Sequence, residues 1–507
     1  MSKRLHKMQT KIIDLLIKAT TSIIDLMKQG KTQDCINILC DCQESAIELG
    51  NSIENVNGMN TQTVKELEKY CELVYQTVMK IQQENKICND ILDCIKNVKV
   101  IYDKEFEEKL EVVFLPYKSS MWDSMESIWL EANGDDGCDA YVVPIPYYDR
   151  NSDTSFGEMH WEGDKYPDSV RITRYDEYDI EKHQPDVIFI HNPYDENNYI
   201  TSVHPDFYSS KLRNYTDNVI YVPYYILPGP PQEVDESFVL VSGVGNANKV
   251  FVQNEEVREF YIKTLCKYVK EVPSSIWENK IVAIGSPKTD KIINMDKEKL
   301  TVPSEWLSAI EGKKVIFFNT NVSLLLKNPE HIIDNLKRIF SIINKRPQFA
   351  VIWREHPLTM STLSSMRTDI KEDYLKLRKQ FIEEKWGVMD ETPEPHLAMA
   401  LSDCYYGAGG SLTAIYPVTG KPVMMMDYLY PNQTSNEVIN IEELISKATC
   451  RMLYTERNIN SLELFLDNID LLETQKEERI SKQSIRMDNL DGTVGKKIYE
   501  YVKQYYR

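Results

Sequence analysis

The sequence predicts an α/β chain in which two parallel-sheet domains face a cleft, preceded by a helical bundle or coiled-coil region. Three observations carry the prediction. Apolar residues recur at helical spacing over residues 8–95. Beyond Leu110, short apolar runs alternate with amphipathic stretches, first to about residue 275 and again to the end. The stretch Ser402-Asp-Cys-Tyr-Tyr-Gly-Ala-Gly-Gly-Ser-Leu-Thr413 reads as an apolar strand, a sharp glycine turn and a helix start.

The elements follow in order. Within residues 1–105, Ile12, Ile13, Leu16, Ile23, Ile24 and Met27 form one stripe that stops at Gly30. A second helix from Thr32 is expected to turn Ile36, Leu39, Cys40 and Ile47 inward. A third carries Val64, Leu67, Cys71, Val74, Val78 and Ile81 at coiled-coil-like spacing. The pattern suits a self-packed bundle and also allows a homo-oligomer or a partner helix.

Residues 106–275 hold the expected strands Glu111–Leu115, Ala140–Ile145, 185–194, 218–225 and Lys249–Gln253, with a long irregular, aromatic connection over Tyr147–Tyr178. The second α/β domain, 276–507, is expected to open with a strand at Lys280–Ile284. Lys314–Phe318, Ala350–Trp353, Trp386–Met389 and the runs at Cys404 and Met424 continue it. Asn489-Leu-Asp-Gly-Thr493 reads as the turn before a last helix.

Composition narrows the function. The 507 residues exceed one typical domain. A formal charge of −19 argues against general nucleic-acid binding and requires any phosphate site to gather positive charge locally. Ten scattered cysteines, none in a CxxC pair, fit reduced thiols. No leader peptide and no membrane span is read from the pattern, which predicts a cytoplasmic protein.

The residues that carry chemistry cluster in the second domain. A glycine turn running into a helix start points free backbone N–H groups at an anion, which makes Gly409, Gly410, Ser411, Leu412 and Thr413 phosphate-binding candidates. The alternative is a tight connection that needs glycine only for steric reasons. Arg354 and His356 end the strand before Pro357, where α/β sheets bind ligands, and suit a phosphorylated substrate. Asn319 and Thr320 end another strand, and Lys288 lies in the segment after Ile284; each is a donor-site candidate, with helix capping or a domain-closing ion pair as the alternative. His191, at the end of its strand, is the candidate general base. His160 and His204 lie in polar loops, and neither is taken as a site candidate. No metal set and no cofactor is expected.

Several separated motifs resemble one family. Ile284-Gly-Ser-Pro-Lys-Thr-Asp-Lys-Ile292 resembles the G-x-P-R-x-D-x-L segment of CDP-glycerol:poly(glycerophosphate) glycerophosphotransferases, the teichoic-acid polymerases and primases. Trp353-Arg-Glu-His-Pro357 resembles their R-x-H-P, and Ser402 through Ser411 with Thr419-Gly-Lys-Pro422 resembles their S-D…D-Y-S-S…P. Asp491-Gly492 resembles their C-terminal D-G. The likeness spans Lys280–Lys497. It departs at Ala408-Gly-Gly-Ser411, which lacks the acidic residue and one serine, and at Tyr221-Val-Pro-Tyr-Tyr225, where the family carries a W-H-G-T-P motif.

The resemblance implies a GT-B-like pair of Rossmann-like domains and metal-independent transfer of phosphoglycerol from CDP-glycerol to a hydroxyl, releasing CMP. It implies His356 as a catalytic group on the phosphate side. The acceptor would be a polyol phosphate, a glycan or a lipid-linked acceptor in cell-wall polymer synthesis, with transient association at the inner membrane face. Two alternatives stand beside it: a nucleotide-sugar glycosyltransferase or epimerase of the same fold, and a degenerate, non-catalytic scaffold.

Overall fold

The computed structural model describes residues 1–505 apart from 81–86, 152, 199, 228–233, 297, 299, 328–330, 393, 427–439, 449–451, 457–459 and 485. The chain begins with α1 (Lys3–Lys28), α2 (Thr32–Asn57), α3 (Gln62–Lys80) and α4 (Ile87–Glu105). These pack into a bundle around Ile13, Leu16, Leu39, Leu49, Leu67, Tyr70, Ile95 and Tyr102. On α2 the buried stripe is Cys35, Leu39, Cys42, Ala46, Leu49 and Ile53, a three–four repeat. The expectation for Cys40 and Ile47 is thereby corrected: both face solvent. Ile81 lies outside the described residues. The bundle is tied to the first domain through Asp186, whose carboxylate accepts from the backbone N–H groups of Lys3 (3.0 Å), Arg4 (2.7 Å) and Glu111 (2.9 Å).

The strands, in chain order, are β1 (Leu110–Leu115), β2 (Cys138–Val142), β3 (Tyr147–Arg150), β4 (Phe156–His160), β5 (Val187–Ile190), β6 (Thr201–Val203), β7 (Asn218–Tyr221), β8 (Lys249–Val252) and β9 (Ile281–Ala283). They continue with β10 (Lys314–Thr320), β11 (Phe349–Glu355), β12 (Gly387–Met389), β13 (Cys404–Gly407), β14 (Val423–Met425) and β15 (Leu453–Thr455). Two parallel six-stranded sheets result, ordered β2-β1-β5-β7-β8-β9 and β12-β11-β10-β13-β14-β15. Both are doubly wound, and the second has the 3-2-1-4-5-6 order of a dinucleotide-binding fold. The chain is thus an α/β protein of two Rossmann-like domains with an N-terminal helical region.

Helices cover both faces of each sheet, which is why the strands read as apolar runs and not as alternations. In the second sheet, Ile316, Phe318, Trp353, Tyr406 and Met424 fill one face. Val315, Phe317, Ile352, Tyr405 and Val423 fill the other.

Two expectations are corrected. Lys280–Ile284 does not open the second sheet: β9 pairs with β8 and forms the edge of the first. Tyr147–Tyr178 is irregular only in its second half: β3 and β4 pair antiparallel, β3 also pairs with β6, and residues 161–178 hold no strand. The chain also returns at its end. Helix Val494–Tyr505 lays Val494, Ile498 and Val502 against Val112, Phe114 and Trp129 of the first domain. Among the described residues, no helix is long and apolar enough to cross a membrane.

Candidate functional site

In a doubly wound sheet, neighbouring strands whose connections leave to opposite faces open a crevice beyond their carboxyl ends. In the second sheet this switch lies between β10 and β13. The turn after β13 and the end of β10 meet there: Asn321 donates from Nδ2 to the Gly409 carbonyl (2.9 Å) and accepts from Leu324 N–H at Oδ1 (2.9 Å). Asn321 therefore fixes the turn from the opposite strand. The expectations for this strand end named Asn319 and Thr320 and left it out, although an Asn three residues past the expected strand Lys314–Phe318 was signal enough.

The glycines of the turn differ in what they do. A Cβ on Gly407 would stand 2.4 Å from the Asn319 carbonyl oxygen, so this glycine is needed for the close approach of β13 to β10. A Cβ on Gly409 would meet nothing within 4 Å, and one on Gly410 only the Asn321 amide at 3.7 Å. Steric need accounts for Gly407 but not for Gly409 or Gly410, which leave open space before the turn.

Helix Ser411–Ile415 follows, with Gly410 N–H capped by the buried Thr413 hydroxyl (3.0 Å). Thr413 thus shapes the turn from within. The N–H groups of Gly409, Ser411 and Leu412 have no partner among the described residues, and Ser411 is exposed. These are the orphan donors of a helix start.

β11 lies on the other side of β10. Asn319 is in register with Arg354 on one side and with Gly407 on the other. Two strand spacings, ~10 Å, therefore separate those backbones. The His356 backbone N–H donates to the Thr320 carbonyl (2.9 Å), and its Nδ1 accepts from Leu358 N–H (3.1 Å). The accepted bond places the proton on Nε2, which has no partner among the described residues. Partial burial holds the His356 pKa below the ordinary histidine value. The residue is a neutral N–H donor at neutral pH. Arg354 is fixed by the buried Asp390 (2.7 Å) and by Thr392 Oγ1 (3.4 Å).

Several candidates are placed elsewhere. Thr320 is buried, and its hydroxyl accepts from the Trp353 indole (3.1 Å), so it belongs to the core. Asn319 spends its amide on the Arg354 carbonyl (3.1 Å) and its oxygen on the Tyr405 hydroxyl (3.3 Å), holding three strands in register. Lys288 pairs with Asp123 of the first domain.

His191 is fully buried. Its Nε2 accepts from Tyr117 N–H (3.1 Å), and its Nδ1 donates to Ser124 Oγ (3.1 Å), which donates onward to the Met121 carbonyl. Burial and the nearby Lys288 charge push its pKa down to about 3. With both nitrogens engaged, His191 is a buried structural histidine and presents no lone pair to the cleft.

The domains meet through a buried charge cluster. Asp123 is held by Lys288 and lies 3.4 Å from His396 Nε2; Lys291 joins Glu126 (2.7 Å) to Glu394 (2.6 Å), and Glu394 reaches His396 Nδ1 (3.3 Å). Burial works against a charged His396, but Asp123 and Glu394 outweigh it and hold its pKa above the ordinary value. A cavity of about 530 Å³ opens beside this cluster, between Ser119 and Tyr166 of the first domain and Thr392, Glu394 and His396 of the second. Thr392 connects its wall to Arg354.

The motifs quoted above sort into two places. Arg354, His356 and the Gly407–Ser411 turn share the carboxyl edge of the second sheet. The Gly285–Asp290 and Asp491-Gly492 segments instead form a clasp. The Asp290 carboxylate accepts from Val494 N–H (3.0 Å) and Gly495 N–H (2.7 Å), and Asn294 Nδ2 donates to the Gly492 carbonyl (2.7 Å).

No family model matches the chain, and no curated protein matches it in sequence. Solved structures of similar shape include a UDP-N-acetylglucosamine 2-epimerase (14% identity, 79% of this chain and 97% of that one, TM-score 0.48). They also include the wall teichoic acid polymerase TagF (13%, 87% and 98%, 0.48) and Staphylococcus aureus MnaA with UDP (12%, 78% and 96%, 0.43). Identity and superposition are low in each case, so the functional reading rests on this chain's own residues.

Proposed function

We propose that the chain is a GT-B-like transferase that binds a nucleotide-activated donor in the second domain and passes its activated group to a hydroxyl acceptor. One observation carries the reading. At the switch point between β10 and β13, the N–H groups of Gly409, Ser411 and Leu412 have no partner among the described residues, a Cβ on Gly409 would meet nothing within 4 Å, and the Ser411 side chain is exposed. His356 Nε2 stands across β10 as a further donor. Fixed N–H and O–H donors along one carboxyl edge suit a phosphate whose charge grows as a bond to it breaks. Arg354, oriented by Asp390, would supply the permanent positive charge.

Within that class the reading favours CDP-glycerol as donor, with CMP released and a polyol phosphate, glycan or lipid-linked hydroxyl as acceptor. It is supported by the four motifs between Lys280 and Lys497, two of which lie at this edge. A UDP-sugar donor would use the same amides. Calorimetric titration with CDP-glycerol, CMP and UDP separates the two: cytidine-selective binding that is weakened about tenfold or more in Ser411→Ala is expected from the loss of one hydrogen bond to a charged group, ~1.5–3 kcal/mol. Preference for UDP would move the donor to a sugar nucleotide, and binding of neither would refute the transferase reading.

A further inference from the structure

The six charged side chains that join the two domains balance in only one protonation state. We propose that His396 is a proton-operated latch between the domains: protonated, it holds the first domain against the second, and on losing its proton it lets the cleft between them open. The latch is built from contacts outside the donor site and does not depend on which nucleotide binds there.

The first domain contributes Asp123, from the turn Ser119–Ser124, and Glu126, which opens helix Glu126–Asn133. The connecting helix Lys288–Ile293 contributes Lys288 and Lys291. The second domain contributes Glu394 and His396, the first residue of helix His396–Leu401. The side chains of Asp123 and His396 are each 6% exposed, and none of the six exceeds 24%. Three carboxylates therefore face two ammonium groups, and the cluster is neutral only when His396 carries a proton. The geometry of the imidazole asks for the same state. Nε2 lies 3.4 Å from Asp123 Oδ2 and Nδ1 lies 3.3 Å from Glu394 Oε2, so each nitrogen faces a carboxylate. Both nitrogens donate only in the imidazolium; a neutral ring turns a lone pair toward one of the carboxylates. Nε2 has no hydrogen-bond partner among the described residues, so its contact with Asp123 is an ion pair sustained by charge. A buried carboxylate left without its cation is strongly unfavourable.

The other titratable groups around the cluster are committed elsewhere. On the first-domain side, His191 is engaged at both nitrogens, and Lys165 on the cavity wall pairs with Glu162 (3.6 Å). Burial holds the Tyr166 hydroxyl neutral, well above the ordinary tyrosine value. Asp290, on the helix of the two lysines, accepts from Val494 and Gly495, and β10 brings only Lys314, which pairs with Glu473 (3.0 Å). Burial works against the charged imidazole, but Asp123 and Glu394 outweigh it, so the proton is lost above the ordinary histidine range. The cavity of about 530 Å³ on the flank of the cluster gives water a way in once the pair separates. Thr392 ties the latch to the donor site. Its hydroxyl lies 2.8 Å from the Glu394 carbonyl and 3.4 Å from Arg354, and its N–H donates to Asp390 (3.0 Å), which holds Arg354.

The test is small-angle X-ray scattering of the full chain from pH 6 to 9, with the His396 imidazole followed by NMR over the same range and assigned with His396→Gln. The radius of gyration should start near the compact value for 507 residues, ~23 Å, and rise by roughly 1 Å or more as the domains part. The midpoint of the rise should coincide with the His396 titration. Asp123→Asn should keep the compact value throughout, because two carboxylates then balance two lysines and the new amide can donate to Nε2 of a neutral ring. If Asp123→Asn fails to fold, agreement or disagreement of the two wild-type midpoints decides. A wild-type radius that stays constant while His396 titrates marks a purely structural ion pair and overturns the proposal. A rise that does not track His396, an imidazole that keeps its proton to pH 9, or an equal rise in Asp123→Asn overturns it as well.

Discussion

Replacing Lys288 with Met should separate a domain-closing role from a ligand-binding one. The Lys288 side chain is 15% exposed and pairs with Asp123, 6% exposed, across the domain boundary. Lys288 and His396 together hold the Asp123 carboxyl well below the usual carboxylate range despite its burial. Removing the lysine leaves a buried carboxylate whose remaining cation is His396, at 3.4 Å. Breaking a buried pair from one side costs ~3–5 kcal/mol, and the surviving histidine argues for the lower end. With an m-value near 3 kcal/mol/M, a loss of that size moves a urea midpoint by about 1 M. The double variant Asp123→Asn, Lys288→Met removes both charges and should recover most of the loss, a coupling that a double-mutant cycle measures. CMP affinity should stay within about twofold throughout. A Lys288→Met protein of unchanged stability that no longer binds nucleotide would refute the assignment.

Three further outcomes follow from the same contacts. The folded-state pKa of His396 lies above its unfolded value, so its stabilising contribution is complete below about pH 6.5 and is lost as pH rises through the folded value; stability measured from pH 6 to 9 should therefore fall in wild type and fall less in His396→Gln. Gly407→Ala should be destabilising by more than ~2 kcal/mol, because its Cβ meets β10 backbone, whereas Gly409→Ala should fold normally and weaken nucleotide binding; paired thermal melts and titrations check both. Asp290→Ala should cost ~1–3 kcal/mol, since its carboxylate bonds two N–H groups at the start of the last helix, and hydrogen exchange should show that helix losing protection first.

Legibility in the sequence followed contact range. Strands buried on both faces stand out as apolar runs, and β10, β11, β13 and β14 were found in that way. Which sheet a three-residue strand joins is not a local property, so β9 was assigned to the wrong one. The antiparallel sheet of β3, β4 and β6 was missed because its short strands Tyr147–Arg150, Phe156–His160 and Thr201–Val203 mix aromatic, charged and small polar residues, which removes the apolar–polar alternation. In the candidate site, the glycine turn and the strand-end His356 were legible because both rest on local backbone geometry. The partners of Arg354 and Lys288 were not: Asp390 lies 36 residues from Arg354, and Asp123 lies 165 residues from Lys288. His191 shows the limit of position alone. It ends its strand as expected, yet Tyr117 and Ser124 consume both of its nitrogens.

The most direct test of the central claim is calorimetric binding of CDP-glycerol, CMP and UDP to wild type, Arg354→Ala and Ser411→Ala. Cytidine-selective binding in wild type that is lost or strongly weakened in both variants, with their folds intact by thermal melt, is the result expected from the site at β10, β11 and β13. Nucleotide binding left unchanged by both substitutions, or absent from the wild-type protein, would contradict it.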